Sequence, residues 1–141
     1  MQTSDVRRRL RGAIETARRN MVARRERTDQ ASRDYEQLLT ERAIPVFQAL
    51  GTALNAEGYR FKVFTPAGSI RLAAEGSSDF LELALDISLE PPAVLLRTSR
   101  GRGRRQISTE RSVAAGPAIA SFTDEDLLNA ILEDITPLLE K

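Results

Sequence analysis

The chain of 141 residues has no cysteine and no histidine. Those absences exclude thiol nucleophiles, disulfides, thiolate or imidazole metal sites and the usual proton shuttle near neutral pH. Serine and threonine are plentiful, but a serine nucleophile would need a lysine base. Only Lys62 and Lys141 exist, and no Ser-x-x-Lys spacing occurs. No phosphate-cradling loop is present, because Gly101 and Gly103 lack the strand–loop–helix setting and the lysine. The sequence therefore predicts neither an enzyme nor a bound cofactor or metal.

Aromatic residues make up 5% of the chain, so the core must be built from Leu, Ile, Val and Ala. No apolar run approaches the ~20 residues of a membrane span. Residues 1–10 are polar and basic with no apolar segment behind them. No secretory signal is expected, and the cytoplasm is the expected compartment.

What is present starts with residues 80–90, FLELALDISLE. Leu81, Leu83, Leu85, Ile87 and Leu89 alternate with Glu82, Ala84, Asp86, Ser88 and Glu90. That period of two predicts a long antiparallel strand with one face in the core and one in water. Leu85, the middle aliphatic, is expected to be buried.

Upstream, Ser4 or Asp5 can cap a helix, and no proline follows until Pro45. Apolar residues fall on a heptad seam of Leu10, Ile14, Ala17, Met21, Ala31, Tyr35 and Leu38, interrupted by Arg24 and Thr28. As one helix, residues 5–43 would reach about 58 Å. The remaining residues make a body with a radius of gyration of about 13 Å. Such a body cannot cover a straight helix of that length, so the helix should bend back, fray at its arginine-rich end or meet another chain, and its seam packs either on its own domain or on a partner. Pro45 should break or kink it around residues 40–44. A second, more apolar helix should then run to Gly58.

Turn signals divide the rest into strands at residues 59–65, 70–75, 80–90, 93–100 and 104–113. A final helix opens at Thr123-Asp124-Glu125-Asp126 and carries Leu127, Leu128, Ile131, Leu132, Ile135, Leu138 and Leu139, with Pro137 kinking or ending it. The prediction is an α+β fold: a long N-terminal helix kinked near Pro45, a five-stranded antiparallel meander, and a C-terminal helix packed on one sheet face. Residues 1–43 form the arginine-rich, partly projecting helix, and residues 44–141 the compact α+β domain.

Net charge is +1, but the layout is uneven. Residues 1–33 hold ten arginines against four acids, and residues 97–111 hold six arginines against one. Residues 123–141 hold six acids against one lysine. Arg7, Arg11, Arg18 and Arg25 are spaced four, seven and seven, a row along one side of a helix, with Arg8 beside it. No aromatic lies before Tyr35, which argues against base stacking there. Arg100, Arg102, Arg104 and Arg105 crowd a glycine-hinged turn that could lie along phosphates or in a groove. The competing expectation pairs them with Glu82 and Asp86 on the polar strand face. Carboxylates Glu82 and Asp86, and the trio Asp124, Glu125 and Asp126, could serve a hard cation or acid–base chemistry. They read more simply as a wet strand face and a helix cap.

The preferred functional expectation is a non-catalytic interaction or assembly module. Its arginine-rich helix would dock a copy of itself, giving a homo-oligomer, or another protein. The alternative is a nucleic-acid binder using both arginine clusters. That reading needs the clusters on one face, and the small net charge weighs against it.

Overall fold

The computed structural model describes residues 1–140. It is an α+β fold in which an N-terminal helical stretch and a C-terminal helix pack on one five-stranded antiparallel sheet. Helix α1 spans Thr3–Leu38 and α2 spans Ile44–Ala56, joined by a π-helical turn at Leu39–Ala43. The irregularity expected at Pro45 takes this form. Pro45 has no N–H, and in a regular helix its ring would press on the carbonyl four residues back. The wider turn, in which Ile44 N–H donates to Leu39 O, accommodates the ring without ending the helix. Helix α2 closes in a Schellman motif. Gly58 takes a positive φ, its N–H donates to Asn55 O, and Tyr59 N–H donates to Leu54 O.

The strands are β1 Phe61–Phe64, β2 Ser69–Ala74, β3 Phe80–Asp86, β4 Ala93–Arg102 and β5 Arg105–Ala115, in the spatial order of the chain. Registers place Val63, Leu72 and Leu81 in one row across the sheet and Ile70, Leu83 and Leu96 in the next. Phe47 from α2 and Leu38 from α1 join these rows in the core, with Leu127 and Ile131 from α3, which spans Asp124–Leu139. The capping box of Thr123 and Asp126 starts α3, and Pro137 lies in its last turn.

Several sequence expectations change. Helix α1 starts at Thr3 with Gln2 at its N-cap position and no side-chain cap, so neither Ser4 nor Asp5 caps it. Strand β3 stops at Asp86 rather than Glu90. The Asp86 carboxylate accepts from the Ser88 N–H and hydroxyl, and this local turn replaces the ladder. The same two bonds hold the Asp86 carboxyl below its ordinary pKa. Ile87 and Leu89 are consequently exposed, and Leu85 is only half-buried. Strands β4 and β5 continue to a two-residue Gly103-Arg104 turn, with Gly103 at positive φ. On α3, Leu128 and Leu132 face solvent. Its seven apolar side chains span too much of the helix circumference for one buried stripe.

Candidate functional site

Helix α1 has two unlike halves. Its C-terminal half belongs to the body: Ala31, Tyr35 and Leu38 are buried in the core. Tyr35 donates its hydroxyl to Gly68 O at 2.7 Å. Burial pushes that hydroxyl well above its ordinary pKa, and the nearby Glu82 charge adds to the shift. These three members of the heptad seam are therefore unavailable to a partner. Their periodicity reflects packing on their own sheet.

The N-terminal half is an arm. Leu10, Ile14, Ala17 and Met21, the other four members of the seam, are exposed, as are Val6 and Val22. Leu10 keeps 57% of its surface in water. Arg7, Arg8, Arg11, Arg18 and Arg25 are exposed with them. Arg8 pairs with Asp5 at 2.9 Å, an exposed contact of small energetic weight. The arm is anchored at its root, where Arg24 and Arg27 reach Glu90 at 3.6 and 2.8 Å. A cleft of about 290 Å³ lies beside this root, between Ala31 and the prolines Pro91, Pro92 and Pro117.

The hairpin tip forms the second cluster. Arg102, Arg104 and Arg105 are exposed and Arg100 is half-buried. Among the described residues, none of the four forms an ion pair. The expected partners are engaged elsewhere. Arg71 and Arg97 approach Glu82 at 2.9 and 3.7 Å and close over it, so Glu82 is only 7% exposed despite lying on the polar row. Arg97 also pairs with Glu110 at 3.0 Å, which extends the ladder to β5. Asp86 is engaged by Ser88. At the tip, Arg102 stands directly opposite Arg105, and like charges in that position repel.

The two arginine clusters are not brought together. The arm's root meets Glu90, three residues before β4 begins, whereas the tip lies at the far end of that strand. Ten residues of strand separate them, about 33 Å at the usual rise. The acidic trio does not converge with other acids; Asp126 is spent on the helix cap.

Sequence reasoning missed the Arg24–Glu90–Arg27 anchor, whose members lie more than sixty residues apart and share no pattern. It also missed the exposure of Leu128 and Leu132, for which the excess width of the α3 stripe was the available signal. No protein-family model, curated protein or solved structure matches this chain. Among the described residues, no helix is long and apolar enough to cross a membrane.

Proposed function

We propose that this protein is a non-catalytic assembly module that uses the arginine-rich arm of α1 to dock a second copy of itself. The observation that carries this reading is the exposed seam of Leu10, Ile14 and Met21 on a helix anchored only at its root. A helix that projects with an apolar seam gains by burying it, at about 25 cal/mol per Å² of apolar surface removed from water. Its own sheet is already covered on that side by Ala31, Tyr35 and Leu38. The missing cysteine and histidine support a binding role over a catalytic one.

Light scattering should find a dimer or larger species for the full chain. Deleting residues 1–22 removes the arm without touching the buried half of α1. It should yield a folded monomer with a nearly unchanged melting temperature. A full chain that stays monomeric at high concentration would sink the self-docking reading.

The unpaired tip favours a second reading, nucleic-acid binding through Arg100, Arg102, Arg104 and Arg105. The distance between the clusters limits that contact to the tip alone. Phosphate binding should then weaken steeply with salt, with a log–log slope of roughly −0.9 per duplex phosphate neutralised. Absence of binding to duplex DNA, single-stranded DNA and RNA at low salt would end it.

A further inference from the structure

Among the described residues, helix α3 presents a surface whose pattern matches the arm. Leu128 and Leu132 are exposed and Leu139 is half-exposed. At 100° per residue the three fall within an arc of about 40°. Glu125, Glu133 and Glu140, all exposed, lie on one flank of that strip. On the arm, Leu10, Ile14, Ala17 and Met21 make a similar strip, and Arg7, Arg11, Arg18 and Arg25 lie on the same-handed flank. When two helices pack antiparallel along apolar seams, flanks of the same hand face each other. Antiparallel docking therefore sets the arginine row against the glutamate row.

The spacings agree as well. With Leu10 opposite Leu139, Ala17 falls opposite Leu132 and Met21 opposite Leu128. Arg25 then comes within one residue of register with Glu125, and Arg11 and Arg18 within two residues, about 3 Å along the axis, of Glu140 and of Glu133, which also pairs with Arg111 at 3.1 Å. Helix α3 has 16 residues, about 24 Å, a length that the arm can cover. The arm cannot fold back onto its own α3, because α1 is one unbroken helix from Thr3 to Leu38. Arg11 and Arg25 form no ion pair within their own chain, among the described residues. Their charges are free for a partner.

We infer that the arm of one copy docks antiparallel on the outer face of α3 of a second copy, through the Leu128–Leu132–Leu139 strip and its glutamate flank. This inference rests on the assembly reading and names its receiving surface.

The test is a charge exchange. One variant carries Arg11→Glu and Arg25→Glu, and a second carries Glu125→Arg and Glu140→Arg. All four positions are exposed, and thermal melting checks that both variants fold. Each alone should self-associate at least about tenfold more weakly than the parent in sedimentation equilibrium. An equimolar mixture should recover association, because the reversed arm of the first variant is complementary to the reversed α3 of the second, and the native arm of the second is complementary to the native α3 of the first. Leu132→Ser should weaken association without any change of charge. If the α3 variants associate like the parent while deletion of residues 1–22 gives monomers, the inference falls and the assembly reading stands. If the deletion leaves the oligomer intact, both fall.

Discussion

Tyr35 and Gly68 hold the long helix to the first hairpin: the phenol donates to the Gly68 carbonyl at 2.7 Å, and the ring is buried beneath β2 and β3. Tyr35→Phe keeps the ring and removes the bond, which should cost about 1 kcal/mol. The raised pKa adds a pH signature. In the unfolded chain the phenol titrates near its ordinary value of about 10. The folded state holds the proton to higher pH. Stability from this group is therefore fully present below about pH 10 and is lost as pH rises toward the folded value. Urea melts between pH 8 and 11 should show a shallower alkaline loss for Tyr35→Phe than for the parent. Parallel curves would mean that the phenol is not held protonated by the fold.

The period-two stretch at residues 80–90 identified its strand but not where the strand stops. Leu83 is fully buried, between Ile70 and Leu96 in register, whereas Leu85 is only half-buried. Leu83→Asp places a carboxylate in an apolar core and should cost several kcal/mol, enough to unfold a domain of ordinary stability. Leu85→Asp can turn its carboxylate toward water and should cost distinctly less. Circular dichroism melts of the two variants test the ordering. Equal losses would place Leu85 deeper than its exposure indicates.

Most of the fold was legible because its signals are local. Alternation gave the strands, glycine and proline gave the turns, and Thr123 with Asp126 gave the start of α3. The same locality explains the misses. The heptad seam in α1 ran through both halves of the helix, and periodicity carries no information on whether Tyr35 meets its own sheet or another chain. The break at Arg24 and Thr28 marks the point where the seam divides, and the tertiary contact of Arg24 and Arg27 with Glu90 fixes that point. Glu82 looked like a solvated residue because its partners, Arg71 and Arg97, come from neighbouring strands.

That arginine-flanked carboxylate supplies a third prediction. Glu82 is buried, but Arg71 and Arg97 remain more than a third exposed, so solvent screens the pairs. Arg71 also stacks over the Phe80 ring at 3.9 Å. Removing the carboxylate leaves two arginines facing each other across β3. Glu82→Ala should therefore cost about 1–3 kcal/mol, less than for a fully buried pair. Adding Arg71→Ala should recover part of the loss, and the double-mutant cycle measures the coupling. Strictly additive losses would mean that the pair contributes nothing beyond its packing.

The last prediction separates fold from function at the hairpin tip. Arg100, Arg102, Arg104 and Arg105 have no ion-pair partner among the described residues, and Arg102 faces Arg105 across the strands. Replacing all four by Ser removes a repulsion and breaks no ion pair. The melting temperature should stay within a few degrees of the parent, because surface changes of this kind usually fall within about 0.5 kcal/mol each. If anything, the variant should be slightly more stable at low salt, where repulsion is least screened. Nucleic-acid binding, where the full chain shows it, should disappear in this variant, while self-association through the arm continues unchanged. Loss of several kcal/mol on the four changes would instead make the tip a structural element, and the phosphate reading would have to be abandoned.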